Sequence, residues 1–318
     1  MTRGILIRLI ALSFVLSLSA CREHEPVPGA DLSGTQLMLR ETGLPGQSYE
    51  RNFVFMTTTG DSLLLVPWLL ETTPGSNTVS REARGWIRRS GAWEPFLAER
   101  WETPPTSHPA RILPHGTFRI VAGESDIIDG IIYAEGPRNL ELALGRPVAQ
   151  WGGPREERFQ LLEASLYLGD QRVSGMVLDM ARINSADTPP RGDWAFLTSG
   201  DSLQVVLQGD MEHDIDIPPN YRGWVRLDSE ELQWPSLRID WTLTSAYQPA
   251  RHDVPISWSL SSPIESVDGT LAVLAAEIVT GAGAGPVLPV QALFEVAGTI
   301  SIDGLSFPVR GLFRHRRR

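Results

Sequence analysis

Two short strings occur twice in this chain. Gly60-Asp61-Ser62-Leu63 returns as Gly200-Asp201-Ser202-Leu203, and Arg84-Gly85-Trp86-Ile87-Arg88 returns as Arg222-Gly223-Trp224-Val225-Arg226, 140 and 138 residues further on. The residues before the first string join the match, so that Phe53 to Leu63 aligns as a block with Trp194 to Leu203. A weaker match relates Leu162–Asp170 to Phe294–Gly304. Self-similarity at a nearly constant offset is the signature of a repeated structural unit. Each unit has the size of one domain. The reading is a first domain over 48–185 and a second over 186–318. Ser174–Arg182 is then the last strand of the first unit, and Asp193–Leu197 opens the second. The linker between them is turn-rich, with Pro189-Pro190-Arg191-Gly192.

Within each unit the apolar residues alternate. Ser202–Leu207, Leu237–Leu243 and Ile256–Leu260 are examples, each bounded by Gly, Pro, Asn or Asp. Period-two runs with frequent turn residues predict an all-β sandwich or barrel. Asp129-Gly130, Asp268-Gly269 and Asp303-Gly304 carry the chemistry of hairpin turns. Thr103–Gly116 and Thr280–Pro289 read as longer loops, and no amphipathic helix is expected beyond the leader.

Residues 1–20 stand apart. Arg3 and Arg8 flank a short apolar run, Leu9 to Leu18, which fits a secretory leader and is too short to span a bilayer. Leu18-Ser19-Ala20-Cys21 has the form of a bacterial lipobox, and Cys21 is the only cysteine. The expectation is acylation at Cys21, a tether over 21–47, and a lipid-anchored protein of the bacterial envelope, on the outer membrane and facing the periplasm. With one cysteine no internal disulfide can form, so apolar burial must hold the fold. The net charge is −10; loss of the leader removes two arginines and no acid, giving −12. An acidic body excludes nucleic acid as a partner and suits anionic lipid surfaces poorly. The basic Arg314–Arg318 run reads as a solvated end.

The repeated Gly-Asp-Ser-Leu spells the motif of one hydrolase class. A serine nucleophile there needs a strand–turn–helix setting, which is absent, so turn chemistry is the better reading. The histidines at 23, 108, 115, 213, 252 and 315 show no metal-ligand spacing, and neither metal nor cofactor is expected. Trp86, Trp194, Trp224, Trp241 and Trp258 fall in strands, where core packing accounts for most of them and a minority could line a cavity.

The second half also shows an ordered pattern: Asp193-Trp194-Ala195-Phe196, Gly223-Trp224-Val225, Trp241–Ser245, Val254–Pro263 and Phe294–Gly298. In that order and spacing it resembles the AttH-type lipocalin-like family, which includes the carotenoid 1,2-hydratases (hydroxyneurosporene synthases). The resemblance implies a tandem duplication of two lipocalin-like antiparallel β-barrels, or curled sheets, packed side by side. It also implies chemistry where the halves join. The first unit of that family ends in an Asp-His-Glu-Trp run; here the run is Asp179-Met180-Ala181-Arg182. The family's later Asp matches Asp193, while Arg191 replaces an aromatic. With the His and Trp positions lost, the resemblance implies binding of an apolar, isoprenoid-like molecule, with Trp194, Arg182 and Arg191 as contacts. Asp179 and Asp193 are the candidate catalytic acids of an alternative acid-catalysed hydratase or cyclase. A non-catalytic envelope scaffold is the third reading. The junction strands are expected to line one shared cleft, and the charges at 179–182 and 191–193 to form surface or interdomain ion pairs.

Overall fold

The computed structural model describes residues 47–317, apart from 60–61, 90, 105–114, 123–127, 136–137, 155–156, 186–191, 213–217 and 282–284. The leader, Cys21, most of the tether and Arg191 lie outside these residues. The first half is a nine-stranded antiparallel sheet. Its strands are β1 (Gln47–Thr59), β2 (Ser62–Pro74), β3 (Val79–Arg89), β4 (Ala92–Thr103), β5 (Phe118–Ala122), β6 (Ile128–Glu135), β7 (Arg138–Gly152), β8 (Arg158–Leu168) and β9 (Gln171–Ser185). They lie in the order β4-β3-β2-β1-β9-β8-β7-β6-β5. The sheet curls until its ends meet: Phe96 of β4 and Tyr133 of β6 sit with ring centroids 5.1 Å apart. Side chains from one face of all nine strands, Phe53, Trp68, Leu97, Phe118 and Leu166 among them, converge on one core.

The second half closes fully. β10 (Trp194–Ser199), β11 (Leu203–Gly209), β12 (Tyr221–Leu227), β13 (Glu230–Tyr247), β14 (His252–Ser261), β15 (Val267–Thr280), β16 (Val290–Ile302) and β17 (Leu305–Arg317) form an eight-stranded barrel. Pairing of β17 with β10 completes it, placing Trp194 opposite Arg314. The expected all-β tandem of lipocalin-like barrels or curled sheets is therefore what the chain forms, one unit closed and the other not quite.

The repeat explains how the halves meet. In a strand, successive side chains point to opposite faces. Ala195 and Leu197 of β10 fill the barrel, whereas Trp194 and Phe196 point outward. The repeat matches those two to Val54 and Met56, which leave the first sheet on its outer side. Trp86 and Trp224 behave alike. These outward residues form a third apolar layer between the units, with Phe159 of β8 packed on Trp224 at 4.3 Å. Gly85 and Gly223, each before its outward tryptophan, leave room for an aromatic ring from the next strand. A Cβ would lie 2.5 Å from Phe96 at Gly85 and 2.5 Å from Trp234 at Gly223.

Three sequence expectations need correction. Asp303-Gly304 is a two-residue hairpin turn, with φ of 51° and 81°, but Asp129-Gly130 lies within β6 and Asp268-Gly269 within β15. Those glycines admit a neighbouring strand: a Cβ at Gly130 would meet the Leu142 carbonyl at 2.8 Å, and one at Gly269 the Thr299 carbonyl at 2.6 Å. The basic run at 314–318 is no solvated end, because Arg314 and His315 are buried in β17, the strand that closes the barrel.

Candidate functional site

Alternation separates the residues expected to share a cleft. On β9, Leu178 and Met180 point into the layer between the units. Asp179 therefore faces the interior of the first sheet, where Arg51 donates to both its oxygens (Nε at 2.9 Å, Nη2 at 2.7 Å) and Arg158 Nη2 stands 3.4 Å away. Burial alone would raise the Asp179 carboxyl, but the two guanidiniums override it and hold it below its ordinary value. Asp193 precedes the outward Trp194 and so faces the interior of the barrel. The two acids thus sit in different cores. Trp194 lies between them, fully buried in the packed middle layer, and its indole N–H has no hydrogen-bond partner among the described residues.

Arg182 is paired neither with Asp179 nor at the surface. It points outward from β9 and donates through Nη2 to Glu50 Oε2 at 2.6 Å. Glu50 also accepts from Asn52 at 2.9 Å and from Arg314 of the second barrel. Burial would raise Glu50; Arg182 and Arg314, with lesser help from Asn52 and Arg316, hold it far below the usual carboxylate range. Arg88 of β3 reaches Glu295 of β16 at 2.5 Å, a second ion pair across the junction. Of the surface or interdomain pairs expected, these are the interdomain kind, and they are buried, so loss of one partner is costly.

Asp193 is the centre of a group the sequence did not disclose. Oδ2 lies 2.9 Å from His315 Nδ1 and accepts from the Tyr221 hydroxyl at 3.4 Å; Oδ1 accepts from the Arg316 backbone N–H at 2.9 Å. Burial first, and the Asp193 carboxylate second, push the Tyr221 hydroxyl well above its usual range, so it stays protonated. Asp193 is thus held as an acceptor, the geometry of a group that orients an imidazole. His315 is fully buried against the edge of Trp241, ring centroids 5.4 Å apart. Its second nitrogen, Nε2, has no partner among the described residues. An orphaned buried polar atom of this kind costs about 1–3 kcal/mol. The signal for His315 was the inward position two residues after Phe313, hidden by the arginines around it.

A cleft opens at the junction on another side. Two adjoining concavities of about 260 and 330 Å³ share Pro154, Arg222 and Trp224. The first half contributes the β7–β8 turn with Pro154 and the buried Glu157, whose Oε1 accepts from Gln208 Nε2 of β11 at 2.9 Å. The barrel contributes Trp224 and Trp234 to the walls. Arg222, half-buried where the two parts join, has no ion pair or hydrogen bond from its side chain among the described residues. No group of three or more candidate metal ligands occurs among the described residues. The repeated serine shows turn geometry where it can be described: Gly200 has φ of 61°, and its carbonyl accepts from Thr198 Oγ1 at 2.7 Å and Gln204 Nε2 at 2.6 Å.

No protein-family model matches the sequence, and no curated protein matches it. Solved structures share its fold. Kievitone hydratase from Nectria haematococca superposes with a TM-score of 0.53 at 14% identity, over 86% of this chain and 90% of that one. An AttH-like protein of Nitrosomonas europaea gives a TM-score of 0.54 at 12% identity, over 91% and 98%. CghA, solved with Sch210972, gives 0.51 at 11%, over 86% and 88%. The architecture of this chain is that AttH-like, lipocalin-type double unit; identities this low speak for fold and not for activity.

Proposed function

We propose that this chain is a lipid-anchored protein of the bacterial envelope that binds an apolar, isoprenoid-like molecule between its two halves. The observation that carries the binding is the junction cleft. Both halves line it, Trp224 and Trp234 form part of its wall, and Arg222, whose side chain has no partner among the described residues, gives it one donor for a ligand's polar end. Proteins of this fold that act on or hold small organic molecules, as the names of kievitone hydratase and of CghA with Sch210972 record, support the reading. Pro154 is exposed and borders both parts of the cleft, so Pro154→Trp fills it without touching a core. The expected result is at least ten-fold weaker binding of a dispersed isoprenoid, about 1.4 kcal/mol, with an unchanged melting temperature. Isoprenoid extracted with the wild-type protein and detected by mass spectrometry should be absent from that variant. Binding that is indifferent to the plug refutes the cleft.

The anchor rests on Leu18-Ser19-Ala20-Cys21. Cys21→Ser should leave an unprocessed precursor that no longer partitions into detergent as an acylated protein; unchanged processing and partitioning would remove the anchor. A second reading, an acid-catalysed hydratase or cyclase, is favoured by the buried Asp193–His315–Tyr221 group. In hydration, one alkene carbon would take a proton and the other the oxygen of water, with the imidazole handling the proton. Turnover of an isoprenoid alkene that disappears in Asp193→Asn, while binding persists, would establish it.

A further inference from the structure

Three arginines at the junction of the units meet a carboxylate. Arg88 reaches Glu295 at 2.5 Å, and Arg182 and Arg314 both donate to Glu50. Arg222 differs. It is half-buried and lines both concavities of the cleft, yet its side chain has no ion pair or hydrogen bond among the described residues. Two acids line the cleft with it, and both have other partners. Glu157 Oε1 accepts from Gln208 Nε2 at 2.9 Å, and Asp210 Oδ1 accepts from the Asn220 backbone N–H at 3.1 Å.

The two concavities differ in charge. In the first, Arg222 is the only charged lining residue, and Pro154, Trp224, Trp234 and Pro235 supply apolar wall. In the second, Arg222 shares the lining with Glu157 and Asp210. An apolar body suits the first concavity, and its polar end then meets Arg222 where the two join. A guanidinium only donates, and its fork matches a carboxylate through two parallel N–H···O bonds. An alcohol or an ester offers no charge and cannot reproduce that pairing. Partial exclusion of water strengthens such a pair relative to one in open solvent. A phosphate carries nearly two charges. The second would stand against Glu157 and Asp210, with no further cation among the lining residues to meet it.

We propose that the junction cleft selects apolar molecules that end in a carboxylate, and that Arg222 is the residue that reads the charge. The inference rests on the cleft reading and adds the ligand's head group to it.

Two probes share one hydrocarbon skeleton and differ in charge: phytanic acid and its methyl ester. Each is titrated into the purified full chain at neutral pH and followed by tryptophan fluorescence. The acid should bind at least ten-fold tighter than the ester. In Arg222→Gln the two should bind equally, and the melting temperature of the ligand-free protein should not change, because the guanidinium has no partner there to lose. Arg222→Lys keeps the charge without the paired donors and should retain part of the preference. Equal binding of acid and ester by the wild-type chain overturns the proposal, as does a preference that survives Arg222→Gln. Pro154→Trp separates this failure from that of the cleft. If the plug weakens both probes but the acid is not preferred, the cleft stands and only the selectivity falls. If the plug changes neither, the cleft falls and the selectivity with it. Should Arg222→Gln fail to fold, salt decides: the ratio of the two affinities should shrink at about 1 M salt, where the screening length is about 3 Å, and a ratio indifferent to salt overturns the proposal.

Discussion

Glu50 shows what a single residue does when both units lean on it. Its carboxylate is buried, and three of its contacts, Asn52, Arg182 and Arg314, come from β1, β9 and β17. Its folded state refuses a proton far more strongly than the unfolded chain, for which the ordinary value is 4.5. A depressed carboxyl contributes stability that is fully present above the unfolded value and is lost as pH falls below it. The stability of this protein should therefore decline as pH drops below about 4.5. Asp179, also held down by its arginines, adds to the decline from its ordinary value of 3.8. Glu50→Gln should cost about 3–5 kcal/mol at neutral pH, because it leaves two buried guanidiniums unpaired. It should also make the acid decline shallower. Urea unfolding midpoints at pH 7 and pH 3.5 test both statements; an acid decline as steep as in the wild type would show that Glu50 is not its source. Nothing in the sequence marked Glu50, since its partners lie 132 and 264 residues away.

Among the elements, the twice-used string is the informative case. Gly60-Asp61 is a two-residue connection, with pairing resumed at Thr59↔Ser62. Gly200-Asp201-Ser202 is a three-residue one, with pairing resumed at Ser199↔Leu203. The same Leu then falls on opposite faces: Leu63 in the layer between the units, Leu203 inside the barrel. Turn length sets register, and a one-residue slip exchanges the two faces of a strand. Deletion of Ser202 should therefore send Leu203, Val205 and Leu207 outward and abolish the cooperative near-ultraviolet dichroism of the barrel. A soluble, native-like deletion variant would mean that β11 can shift its register to absorb the loss. Composition and alternation were enough to read the strands, the repeat and the Asp303-Gly304 hairpin. They could not distinguish a glycine that turns the chain from one that lets strands approach, as at Gly130 and Gly269. Nor could they tell a basic strand from a basic tail, because Arg314 and His315 become core residues only through partners on distant strands. The same limit placed Asp179 and Asp193 in one cleft: both flank the linker in sequence, but each points into its own unit.

At the scale of the whole molecule, the layer between the units draws repeat-equivalent residues from both sides. Val54 and Met56 correspond to Trp194 and Phe196 in the repeat, and Trp86 corresponds to Trp224; all six lie in this layer. A patch that meets its own copy is the arrangement of an isologous contact, as two identical subunits make when they dimerise about a two-fold axis. Here both patches belong to one polypeptide, joined by a linker of a few residues. The encounter that a dimer must make by diffusion is intramolecular, at an effective concentration set by the linker instead of by the amount of protein present. The pairing of the halves, and with it the cleft they share, therefore survives dilution that would separate two free barrels with the same patch.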